Sequence, residues 1–158
     1  MAIRKILKTA HAEDREILST VSKRIMDFDQ RLSILIDDMI DTMISANGCG
    51  LAAPQVGILK RVFVICVDGE TMYEFVNPII IKTFGIQCEP EGCLSMPGLN
   101  GIVERPKKLI VKAQDRTGKE FELKVDGLFA RAVCHENDHL DGILFESKIM
   151  QTEEMIAK

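Results

Sequence analysis

The chain has 158 residues, which fits one domain, and at that size it needs neither disulfide nor structural metal merely to fold. Hydrophobic residues make up 46% and charged residues 28%, an ordinary globular balance, and a net charge of −4 gives no electrostatic footprint for nucleic acid. No apolar run is long enough to span a membrane. In chain order, MAIRKILKTAHAEDRE lacks the apolar core of a signal peptide. The apolar positions of 28–46 recur with a 3.6-residue period, which predicts an amphipathic helix ending near Asn47-Gly48. GCGLAAPQVG, with two early glycines and a proline, reads as a shaped loop. RVFVICV (61–67) predicts a strand closed by Asp68-Gly69, and MYEFVNP and IIIKTFG predict two more around Pro78.

Residues 91–98 read as turn-like, while 108–114 and 120–126 flank Gly118 as a hairpin. GLFARAVCHENDHLDG predicts a second long helix, with Asp126 as N-cap and Gly142 as its stop. A short helix is expected from about 147 to the end. The expected fold is a single α+β domain over 1–158.

HENDH (135–139) carries the chemistry. On a helix, His135 and His139 lie on one face and can present ring nitrogens to one ion. A bound divalent metal lowers the pKa of its water, and Glu136 is placed to take that proton and return it to a leaving group. The alternative is a polar helix face with no ion. His11 reads as a solvated bystander.

Two histidines leave the shell short of a third protein ligand. Downstream, only Glu146, Glu153 and Glu154 offer one; upstream, Cys93 can supply a soft thiolate suited to zinc or iron. Four other thiols compete with it. Cys66 reads as core, Cys88 as structural, Cys134 as turned away from its neighbour His135, and Cys49 as a wall residue of the glycine loop. The odd number of five cysteines, without a leader, points to a reducing, cytoplasmic setting.

Three blocks, GCGLAAPQ (48–55), EGCLS (91–95) and HENDH, together resemble in order the signature motifs of the peptide deformylases. The opening MAIRKIL, the stretch 103–133 and the closing HLDGILF are similar too. The resemblance implies short antiparallel strands packed around a central helix that carries the motif, and a metal-dependent hydrolase. Its reaction removes the formyl group from the N-terminal formylmethionine of nascent polypeptides and releases formate.

By the same resemblance, Cys93, His135 and His139 bind the metal and Glu136 is the general acid/base. The Gln55 amide and the backbone N–H of Leu94 stabilise the oxyanion. Cys49 and Gly50 pair with the substrate backbone, a mode that favours glycine for close approach. Leu128 and Ala132 line a methionine pocket, with ordinary core packing as their alternative. Glu91 and Arg105 form an ion pair behind the cysteine segment. Fe²⁺ is the expected ion, with Zn²⁺, Ni²⁺ or Co²⁺ as substitutes.

Formylmethionyl peptides and nascent chains are the implied partners, with transient ribosome contact. Neither a membrane nor direct nucleic-acid binding is expected. The sequence departs from the family at Cys49, where Ile or Val is usual, at Cys134, where Gln is common, and at Leu99 and Asn100. Its tail after Phe145 is short and not basic, which argues against docking through a cationic C-terminal helix. A zinc peptidase, a non-catalytic binding protein and a closed structural metal site are the rivals. The first lacks a downstream histidine, the second contrasts with the presence of Glu136 and Gln55, and the third needs a fourth ligand.

Overall fold

The computed structural model describes residues 2–152. Three α-helices are found among these residues: α1 (Ala12–Leu18), α2 (Gln30–Ser45) and α3 (Gly127–Leu140). The strands are β1 (Gly50–Ala52), β2 (Val62–Ile65), β3 (Tyr73–Phe84), β4 (Gln87–Cys93), β5 (Met96–Arg105), β6 (Lys108–Gln114), β7 (Glu120–Asp126) and β8 (Ile149–Thr152). They form two antiparallel sheets, one of order β1-β2-β3-β6-β7 and the other β4-β5-β8. The α+β class is the expected one, although β3 and β5 are longer than the short strands expected.

Alternation along β2 explains how the larger sheet packs. Phe63 and Ile65 join a core with Ala130 and Val133 of α3, whereas Val62 and Val64 join Leu32, Ile36 and Met39 of α2. Successive side chains of a strand point to opposite faces, so both faces are covered by helix. Phe63 and Phe75 are fully buried with ring centroids 4.9 Å apart, each contributing roughly 1.5–3 kcal/mol by burial. A third cluster, Leu18, Met96, Val103, Leu144 and Phe145, holds α1 and β5 together.

The hairpin of β6 and β7 has the bounds the sequence predicts, and Asp115 Oδ1 accepts from Thr117 N and Lys119 N in its turn. Helix α2 lies inside the expected 28–46 span and starts at Gln30, where Asp29 Oδ1 accepts from Leu32 N at 3.1 Å and caps it. Helix α3 begins after Asp126, but the Asp126 side chain makes no capping hydrogen bond. Gly142 ends this segment as expected: its φ is +71°, and a Cβ there would stand 2.6 Å from the Ser19 carbonyl oxygen.

Three expectations are corrected. The glycine segment is not simply a loop: it forms β1, then a 3₁₀ turn over Ala53–Val56, because β1 gains its ladder from the distant β2. The two strands around Pro78 are one, β3, whose register shifts between Val76 and Ile79. Asn77 takes φ +50° there, and its side chain satisfies both Ile25 N and Ile25 O. No final helix starts at 147: Phe145–Lys148 is a 3₁₀ turn and β8 pairs with β5. The rest of that expected helix, with Glu153 and Glu154, lies outside the described residues.

Candidate active site

Topology gathers the three sequence blocks at one cleft of about 340 Å³. Cys93 ends β4, and a two-residue turn, Leu94-Ser95, leads into β5. His135 and His139 lie one turn apart on the buried side of α3. The Cys93 Sγ and the two imidazoles present ligand atoms within 4.8 Å of one another, and Cys93 Sγ is 3.4 Å from His139 Nε2. A thiolate and two imidazoles at this spacing fit a soft divalent ion such as zinc or iron. No other such cluster occurs among the described residues. Glu146, the downstream alternative, pairs with Arg15 instead.

Each histidine has a distinct setting. His135 Nδ1 is 2.9 Å from Glu91 Oε1, a carboxylate that fixes the ring and leaves Nε2 for a ligand. Burial works against charge on His135, but its hydrogen bonds with Cys93 and Glu91 outweigh it and hold the pKa well above the usual value. His139 is pushed well below by burial, then by the charges of His135 and Arg105. His139 is thus already in the neutral form in which imidazole binds a metal, whereas an ion must displace a proton from His135.

Glu91 is buried in β4 under the cysteine. Burial alone would raise its carboxyl, yet the hydrogen bond with His135 and the pairing with Arg105 outweigh it and hold it at about 2. Arg105 Nε and one terminal nitrogen contact the two carboxylate oxygens at 2.9 and 3.0 Å, so the expected ion pair is bidentate and buried. Arg131 Nη1 lies 2.5 Å from Glu91 Oε2, and Arg105 reaches on to Asp138 Oδ2 at 2.6 Å. Arg131 and Asp138 were not legible as site residues. The available signal was an arginine one turn before His135, on a helix face where an apolar residue is expected.

Glu136 is 5% exposed, and its Oε1 has no hydrogen-bond partner. Burial pushes its carboxyl up to about 7, with the charge of His135 acting against the rise and that of Glu91 adding to it. A carboxyl near neutrality can both accept and return a proton. Facing it is Gly50, where a Cβ would stand 2.6 Å from Glu136 Oε2. Close substrate approach is the reason for glycine that the sequence suggests; in the fold the Glu136 side chain already occupies that space.

Gln55 sits in the 3₁₀ turn, buried, with its Oε1 accepting from Ala52 N at 2.9 Å. That bond fixes the amide's orientation and aims Nε2 at the cleft, 3.2 Å from Ser95 Oγ and 3.7 Å from Cys93 Sγ. Leu94, Cys49, Leu128 and Ala132 all line the same cleft. Leu128 is 55% exposed, whereas Ala132 is buried and also packs in the core with Phe63 and Phe75. Cys49 is exposed just before β1. Among the remaining thiols, Cys66 is core as read and Cys134 is buried, but Cys88 is exposed on β4 rather than structural.

Known proteins share this arrangement in sequence and in shape. A family model described as polypeptide deformylase matches residues 3–155. The peptide deformylase of Caldicellulosiruptor bescii is 57% identical over 151 residues, covering 96% of this chain and 88% of that protein. That of Alkaliphilus metalliredigens is 52% identical, covering 96% and 99%. The crystal structure of a peptide deformylase from Legionella pneumophila superposes with a TM-score of 0.88 at 44% identity, covering 94% of this chain and 86% of that one. The Thermotoga maritima structure gives 0.89 at 36% identity, covering 94% and 99%.

Proposed function

The chain belongs to the polypeptide deformylase family, and from that premise we propose how its own residues carry the reaction. It is a hydrolase that removes the formyl group from the N-terminus of nascent polypeptides. The single observation that carries the assignment of roles is the convergence of Cys93, His135 and His139 beside the buried Glu136. Those three residues would hold the metal, with Fe²⁺ expected and Zn²⁺, Ni²⁺ or Co²⁺ able to substitute. When bound, the ion supplies Lewis acidity that makes a water ionisable near neutral pH.

In this reading Glu136 accepts the proton of the attacking water and delivers it to the departing amine. Gln55 Nε2 and the Leu94 N–H donate to the oxyanion that develops on the formyl carbonyl, about 2.7–4 kcal/mol per donor. Water and amide become formate and a free amine. The backbone of Cys49 and Gly50, at the β1 edge of the larger sheet, takes the peptide, and Leu128 with Ala132 borders its methionine side chain. Helix α3 acts as the central helix of a single catalytic domain, with strands of both sheets packed around it. The expected setting is cytoplasmic, with transient contact to the ribosome; no helix among the described residues is long and apolar enough to cross a membrane.

The test is formate release from a formyl-Met peptide by protein loaded anaerobically with Fe²⁺. Wild type should turn over and Glu136→Ala should not. Equal rates would remove Glu136 from its role, and no formate from loaded wild type would remove the whole reading.

A further inference from the structure

The N-terminal arm touches the site without entering it. Its first residues are tied to α2: Ala2 N and Arg4 Nε donate to Asp38 at 2.7 and 2.9 Å, and Arg4 N donates to Thr42 Oγ1 at 2.8 Å. Its next residues are tied to the two segments that carry the oxyanion donors. Leu7 N donates to the Gln55 carbonyl at 2.8 Å, and Thr9 N donates to the Ser95 carbonyl at 3.0 Å. Between them, Lys8 Nζ donates to the Leu94 carbonyl at 2.8 Å. Lys8 is half-buried, and its own N–H is held by Asp14 Oδ2 at 3.0 Å.

The Leu94-Ser95 turn has only two residues between β4 and β5, and the register shifts at its base between Gly92 and Cys93. Such a turn has little ladder of its own to fix the direction of the Leu94 N–H. The arm supplies a restraint, and the lysine brings a positive charge to the Leu94 carbonyl, on the peptide next to the one that carries the donor N–H. Preorganised donors contribute most when they need no reorientation as charge develops.

We propose that Lys8 is a positioning residue for the deformylation reaction, holding the Leu94-Ser95 turn so that the Leu94 N–H and the Gln55 amide meet the oxyanion together. This rests on the reading of Leu94 and Gln55 as oxyanion donors. Lys8 touches neither substrate nor metal ligand, so its effect belongs to kcat rather than to KM.

The experiment compares Lys8→Met, Lys8→Arg and Gln55→Ala with wild type, each loaded with Fe²⁺, for kcat, KM and bound metal. Lys8→Met keeps the stem and removes the charge and donor. It should lose about tenfold in kcat, equivalent to about 1.4 kcal/mol, with KM and bound metal within twofold. Lys8→Arg should recover most of the loss. If Gln55→Ala is slow but Lys8→Met matches wild type, the positioning role is wrong and the oxyanion assignment stands. If both match wild type, the oxyanion assignment itself fails. A kcat loss in Lys8→Met that tracks lost metal would overturn the proposal, because the arm would then be supporting Cys93. Failure of Lys8→Arg to recover any activity would overturn it as well.

Discussion

Gly50→Ala is the sharpest probe of how β1 and α3 share the site. A Cβ at position 50 would lie 2.6 Å from Glu136 Oε2, 3.0 Å from its Cδ and 3.1 Å from its Cγ. Gly50 does not have a left-handed φ, so alanine suits its backbone and the cost falls on the contact. Glu136 must retreat by roughly 0.8 Å to restore ordinary van der Waals distance. A displacement near 1 Å in a catalytic group can cost about 100-fold in rate. Overpacking costs about 1–3 kcal/mol, which lowers Tm by about 3–10 °C in a domain of this size. The expected outcome is therefore a folded, slightly less stable protein with kcat down about 100-fold and bound metal unchanged. Formate release, calorimetry and metal analysis on one preparation measure all three. Gly48→Ala is the comparison: its Cβ would meet the tip of the Leu94 side chain at 2.7 Å, which can swing aside, so its kcat loss should be smaller. Wild-type kcat in Gly50→Ala would refute the claim that the glycine protects the position of Glu136.

Three further predictions follow from burial and charge. Leu128→Ala should raise KM for formyl-Met peptides several-fold while changing stability by less than about 0.5 kcal/mol, since this side chain is largely exposed; a large stability loss would mark it as core instead. Cys93→Ser should weaken metal affinity without unfolding the chain, as read by competition with a chelator and by circular dichroism; unchanged affinity would remove the third ligand. In acid, the Glu91 carboxyl is depressed from 4.5 to about 2, so its stabilising contribution is complete above pH 4.5 and is lost as pH falls toward 2. The loss is about 3 kcal/mol in urea denaturation, and Glu91→Gln should lack that part of the slope.

How far the sequence revealed this molecule depended on where each signal was stored. The β6-β7 hairpin and α2 carry their own alternation or periodicity, so their bounds were readable. Helix α1 is seven residues with only Leu18 buried, too short to show a stripe. β1 is three residues buried throughout and takes its ladder from β2, beyond the 3₁₀ turn; β4 and β5 pair with each other, but Pro90, Gly92, Pro97 and Gly98 interrupt the alternation that would have declared them. The site divides in the same way. His135, Glu136 and His139 declare themselves by helical spacing, whereas Cys93 needed the ordered motifs to separate it from four other thiols. The arm contact of Lys8 left no pattern, and Arg131 showed only as a charge one turn before His135, with no sign of its partner Glu91, because both contacts are products of tertiary packing.

The buried charges around Glu91 serve placement more than stability. Glu91 lies two residues before Cys93 on β4 and accepts from Arg105 of β5 and from Arg131 and His135 of α3. Asp138 extends the network to Lys148 at 2.9 Å. One carboxylate thus fixes the strand that carries the thiolate to the helix that carries both imidazoles. Burying such groups costs about as much desolvation as their attraction returns, but removing one partner strands the others. Glu91→Gln should therefore cost about 3–5 kcal/mol and weaken metal binding about 10–100-fold. Replacing Glu91, Arg105 and Arg131 together by leucine or methionine separates the two effects. Stability should return toward wild type in urea denaturation, because no charge is left uncompensated. Metal affinity should stay low, because His135 Nδ1 still lacks its carboxylate. Recovery of both together would show that the network acts only through stability, and that the ligands find their geometry without it.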